Sequence, residues 1–242
     1  MIDDKKLNWS IKQRAIDLIE QLKLAHVGKR PVVWVCHSMG GLIVKQIMVQ
    51  LSEMVNKANG SEDSEYLRSL LENTRAIMFL STPHLGSSIA KTTSKFSFAT
   101  YASTDIHEMA TNSDFLVDLN KKFLNLVNSS STLKEKLKVI SLLETLQTPI
   151  GYISGIYITT VTEKSAKIDI GEFHLINDKD HLNICKPNDR NDFMYMKIVN
   201  LINDLINVEN LNCEKCKYDF SLDKDKKFNE YLFEFFRANC YY

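Results

Sequence analysis

The sequence predicts an α/β fold: a parallel sheet of about four strands flanked by helices. Three observations carry that prediction. Short runs of β-branched and aliphatic residues recur at 32–35, 76–80, 137–143 and 156–161. Segments with helical apolar spacing stand between them, and strands that alternate with helices pair in parallel with both faces covered. Hydrophobic residues make up 44% of 242 residues, enough for a core in one domain or at most two.

The elements follow in order. Ile11, Ala15, Leu18 and Leu22 share one face of a first helix, with a cap at Asn8 or Ser10. Gly28 and Pro31 separate it from the apolar run 32–35. A helix then runs to about Asn56, followed by a polar loop over 59–64 and a short helix near 66–71. After the strand at 76–80 comes a Ser/Thr/Asn-rich stretch, with helical pieces around 115–127. The strands at 137–143 and 156–161 precede a helix over 192–207, whose apolar face is Phe193, Met196, Val199 and Ile202. A last helix over 224–238 carries an aromatic stripe, read as core rather than membrane anchor. The domain is expected over 1–207, with a helical extension over 208–242.

Composition excludes several classes. Lys+Arg and Asp+Glu both number 30, so charge gives no reason to expect a nucleic-acid partner. No run approaches the ~20 apolar residues of a transmembrane helix. The amino terminus, Met-Ile-Asp-Asp-Lys-Lys, is neither a secretory signal nor an Arg-rich transit peptide. Five scattered cysteines do not form a disulfide framework and fit a reducing compartment. Cys213 and Cys216 form a lone C-x-x-C, read as two thiols, since zinc sites need a second pair or matching histidines. No metal or cofactor is expected.

The most informative stretch is V-V-W-V-C-H-S-M-G-G-L-I-V-K at 32–45. A buried strand stops at a small-residue turn and a helix begins at once, which is the setting of a nucleophile elbow. Ser38 sits on the turn. Small residues are expected two positions either side, here Cys36 and Gly40, with Cys36 replacing the usual glycine. Met39 would offer its backbone N–H to a developing oxyanion. A second cluster, F-L-S-T-P-H-L-G-S at 79–87, follows another strand, and D-H-L-N-I-C-K-P occupies 180–187.

With these motifs, residues from about 31 to 206 resemble the α/β-hydrolase superfamily, and more narrowly the serine active site-containing protein family of lipase-like hydrolases. The resemblance implies a Ser, acid, His order. Ser38 is the nucleophile, His181 the base, and a carboxylate orients the base. Glu144 at a strand end is favoured as the acid, with Glu163 one strand later as the alternative. Asp180 structures the loop. His84 lines the pocket. His37 is also placed at the pocket, although its position beside the nucleophile turns it away from Ser38. His26, His107 and His174 are surface residues.

The expected activity is cleavage of a lipid ester through an acyl-enzyme. The resemblance implies phospholipid or phosphatidylglycerol remodelling at mitochondrial and endoplasmic-reticulum membranes, so a membrane surface is a candidate partner. The competing reading is a non-catalytic remnant that binds a lipid or a protein through the same pocket. One departure bears on this choice. Only one helix precedes residue 32, where the family has several strands and a second oxyanion donor. The chain therefore reads as the carboxyl-terminal half of the fold. The strand at 32–35 would be an apolar edge that favours homo-oligomers.

Overall fold

Parallel pairing of short apolar strands sets the architecture. In a computed structural model, residues 10–57, 62–86, 113–149 and 155–212 are described. Val32–His37 (β1), Thr74–Leu80 (β2), Lys138–Glu144 (β3) and Glu172–Ile176 (β6) form one sheet in the order β1-β2-β3-β6, and every pairing is parallel. Two short strands, Thr148–Pro149 (β4) and Tyr157–Ile158 (β5), pair antiparallel in a separate ribbon.

The sheet has the expected four strands, but the fourth is not the expected one. The apolar run at 156–161 contributes only β5 of the ribbon, and the true fourth strand is Glu-Phe-His-Leu-Ile at 172–176. An edge strand faces water, so its composition is half polar and its hydrophobic signal is weak. The central strands β2 and β3 are buried almost throughout, whereas β1 and β6 are mostly half-buried or exposed. Among the described residues β1 pairs only with β2 and stands at the sheet edge.

Helix Ile11–Leu24 (α1) starts at Ser10. That hydroxyl accepts from Gln13 N–H while the Gln13 side chain accepts from Ser10 N–H, a reciprocal cap. Helix Met39–Lys57 (α2) leaves the Ser38 turn directly and packs against α1, β1, Glu62–Glu72 (α3) and Asp114–Ser129 (α4). Ile47, Met48 and Leu51 of α2 join Ala15, Ile19, Leu70, Ile77, Phe79 and Phe123 in the core. Short helices Ser131–Lys136 (α5) and Glu163–Ala166 (α6) complete the layer assignments.

The sheet and these helices fall in a compact unit, Met1–His181, and a second unit spans Leu182–Tyr242. The second unit contains Phe193–Asn212 (α7). This helix runs past residue 207, where the sequence reading ends the domain. Met194, Tyr195, Ile198, Val199, Leu201 and Leu205 are buried; of the expected face Val199 is among them, whereas Phe193 and Met196 are exposed. The segment is apolar on nearly every side, so spacing alone does not choose the face. The helix over 224–238 and Cys213, Cys216 and His107 lie outside the described residues. No described helix is long and apolar enough to cross a membrane.

The two glycines at the start of α2 have opposite surroundings. A Cβ on Gly41 would stand 2.1 Å from Thr82 Oγ1 and 2.8 Å from Phe79 Cδ1, whereas one on Gly40 would meet nothing within 4 Å. Motif grammar emphasises Gly40, but packing makes Gly41 the demanding position. Gly41→Ala is therefore expected to lower stability by about 1–3 kcal/mol through overpacking, with Gly40→Ala close to neutral. Chemical denaturation of the two variants checks this ranking.

Candidate active site

The carboxyl ends of β1, β2 and β3 lie side by side because the strands are parallel and in register: His37 pairs with Leu80, and Leu80 with Leu142. Ligands of open parallel sheets bind at this end. Ser38 follows β1 with φ of 53°, a left-handed turn, and its N–H still donates to Leu80 O at 2.9 Å. The turn lifts the side chain off the strand line. Met39 opens α2, so its N–H belongs to the first helical turn, where backbone donors lack intrahelical acceptors.

His181 lies beyond β6, and its Nε2 stands 2.9 Å from Ser38 Oγ. Its Nδ1 stands 3.1 Å from Glu144 Oε1, the last residue of β3. The structure thus joins three of the predicted site residues in one hydrogen-bonded line. Glu163, the alternative acid, opens α6 and is exposed. A neutral imidazole with a carboxylate on Nδ1 keeps its proton there and leaves Nε2 free to accept from a serine hydroxyl.

The backbone of His181 is held as firmly as the ring. His181 N–H donates to Thr148 Oγ1 at 3.2 Å, and its carbonyl accepts from His37 Nε2 at 2.7 Å. The His37 ring centroid is 4.9 Å from that of His181. His37 does turn away from Ser38, as expected, but onto the histidine loop, which sequence adjacency cannot show. Leu146 N–H to Lys179 O at 3.0 Å ties the segment after Glu144 to the same loop. Thr148 has no motif around it and was not legible from sequence.

His84 does not line an open pocket. It is fully buried, packs edge-on against Phe79, and its N–H donates to Ser165 O at 2.8 Å. Its Nδ1 lies 3.4 Å from the amine of Lys45, also fully buried, which donates to Asn120 Oδ1 at 2.5 Å. The two sequence motifs meet at this contact. Burial first, and the Lys45 charge second, hold His84 well below the usual histidine range, so it is neutral. Burial alone brings Lys45 down to about 7. Burial pushes the Cys36 thiol up, away from reactivity.

Lys45 makes stability pH-dependent. Its folded pKa lies below its unfolded value of 10.5, so the unfolded chain binds more protons between pH 7 and 10.5 and stability rises with pH there. At 1.36 kcal/mol per unit the penalty near neutrality is of order 5 kcal/mol. Lys45→Met, which keeps the volume, is expected to stabilise the protein at pH 7, with the gain shrinking towards pH 10. Unfolding of both proteins across that range measures the difference.

Comparison with known proteins is consistent with this geometry. A family model described as "Putative serine esterase (DUF676)" matches residues 11–166. Protein SERAC1 of Danio rerio is 36% identical over 81% of this chain, and that of Homo sapiens is 32% identical over the same share. The chain spans 27% of the length of these curated relatives. Two solved structures share the fold at 14% identity. Lipase BlEst2 of Bacillus licheniformis in its mature form has a TM-score of 0.50, with 80% of this chain and 75% of that one covered. Phospholipase PlaB of Legionella pneumophila in complex with thio-NAD has a TM-score of 0.53, with 96% and 52% covered.

Proposed function

The chain belongs to the serine esterase family of that description, within the lipase-like α/β-hydrolases, and from this premise we propose that it hydrolyses a lipid ester through an acyl-enzyme on Ser38. The observation that carries the reading is the line Ser38 Oγ, His181 Nε2, His181 Nδ1, Glu144 Oε1, with spacings of 2.9 and 3.1 Å.

In the proposed reaction Ser38 Oγ attacks the ester carbonyl carbon and its proton passes to His181 Nε2. Glu144 stabilises the imidazolium without taking the proton. The Met39 N–H faces the oxyanion. Collapse breaks the bond to the leaving alcohol, which takes the proton from Nε2. Water then attacks the acyl-enzyme with His181 again as base and releases the acid and Ser38.

The finer assignment is a phospholipid, with phosphatidylglycerol remodelling at mitochondrial and endoplasmic-reticulum membranes as the setting. A fold shared with a chain named as a phospholipase supports the substrate class, and the membrane setting rests on the motif resemblance alone. Association of copies through the edge of β1 is part of the same proposal, since edge strands present unpaired backbone groups.

A fluorophosphonate probe is expected to label Ser38. Ser38→Ala should abolish labelling, and Glu144→Gln should lower turnover about 10²–10⁴-fold, with Glu163→Gln near wild type. Labelling that survives Ser38→Ala would sink the assignment. Absence of labelling in the unmodified protein would favour a binding role for the site.

A further inference from the structure

We propose that Ser81 is a positioning residue for Glu144: its hydroxyl holds the carboxylate plane so that Oε1 meets His181. The inference rests on the triad reading above and adds a fourth side chain to it.

Ser81 directly follows β2, as Ser38 directly follows β1. It is fully buried, and its φ of 49° lies in the left-handed region that favours glycine. Its N–H donates to Leu142 O at 2.8 Å, which continues the β2–β3 ladder one residue into the turn. Its hydroxyl donates to Glu144 Oε2. A non-glycine residue in this conformation is held there by its surroundings, and such outliers cluster at functional sites. Glycine would fit the backbone better; what serine adds is the hydroxyl.

The carboxylate has use for that hydroxyl. The Glu144 side chain is only 4% exposed, so water cannot satisfy both oxygens. Oε1 meets His181 Nδ1, and Ser81 is the partner of Oε2 among the described residues. With one hydrogen bond a carboxylate can rotate about its terminal torsion. A second donor on the other oxygen fixes the plane. Oε1 must be in place when His181 takes the proton of Ser38. Ser81 touches no reacting atom and acts only through Glu144.

The test separates hydroxyl from backbone. Ser81→Ala removes the hydroxyl and keeps the strained conformation; Ser81→Gly removes the hydroxyl and relaxes it. Both variants are expected to slow fluorophosphonate labelling of Ser38 by about 10–100-fold, the worth of a hydrogen bond to a charged group. Ser81→Gly should melt no lower than Ser81→Ala, since both lose the hydroxyl and only glycine relieves the backbone. Where ester turnover is measured, kcat should fall with KM unchanged. In a Glu144→Gln background, adding Ser81→Ala should change the rate by less than about two-fold, because the two act as one unit. Wild-type labelling by Ser81→Gly, or losses that multiply in the double variant, would overturn the proposal. If wild-type protein does not label at all, the hydrolase reading falls. The positioning proposal is then read from the low-field His181 Nδ1 proton by NMR, expected in wild type and shifted in Ser81→Ala; an unchanged resonance overturns it.

Discussion

The parallel register of β1, β2 and β3 is the constraint on which the site depends. It brings three strand ends, otherwise separated by long stretches of chain, to one level. Ser38, Ser81 and Glu144 are each the last residue of a strand or the next one along. None of them needs a long or flexible reach. The helices serve this register, since α2 packs on β1 while it carries the Ser38 turn away from the sheet. Parallel pairing holds only while both faces are covered, so burial of Leu42, Ile47 and Leu51 on α2 and of Phe123 on α4 maintains the geometry of the site.

Polar burial is unevenly compensated across the domain. Glu144 and His181 are buried, and both carboxylate oxygens and both ring nitrogens have hydrogen-bond partners, which suits groups that must hold orientation. Lys45 and His84 are buried deeper and compensated less. Lys45 has a neutral amide oxygen and an aromatic ring nearby, and His84 Nε2 has no hydrogen-bond partner among the described residues. A core that keeps such a pair is less stable than a purely apolar one of the same volume. The contact joins α2, which starts at the Ser38 turn, to the loop after β2 that starts at Ser81. Its cost falls on stability, and its placement falls on the connection between two parts of the site.

Much of the architecture was legible because it is written locally. The strand, tight turn and helix around Ser38 appear within fourteen residues, and the order of strand-end Glu144 and loop His181 follows from chain order. The lipase-like resemblance carried by the motifs agrees with the family match over residues 11–166. What failed to show was non-local or of mixed polarity. β6 has Glu172 and His174 among its five residues and, among the described residues, pairs on one side only, so no apolar run announces it. Residues 156–161 do have such a run, but only a two-residue ribbon strand uses it. Ser81 stands 63 residues from Glu144, and the motif around it gives no hint that the serine, rather than His84, faces the acid.

The two left-handed serines show how strain is distributed. Each conformation costs roughly 1–3 kcal/mol, and neither would persist alone. Each is hooked to the next strand over: Ser38 N–H to Leu80 O, and Ser81 N–H to Leu142 O. The turn after β1 therefore depends on β2, and the turn after β2 depends on β3. β3 ends in Glu144, which receives Ser81 directly and Ser38 through His181. The strain is supported in one direction across the sheet, and the hydrogen bonds of the site close it in the other. Fraying at β3 would then release both turns together, whereas loss of a side-chain hydrogen bond would leave both ladder bonds intact. The geometry of the Ser38 turn belongs to the sheet as a whole, while the placement of its hydroxyl belongs to the few side chains above it.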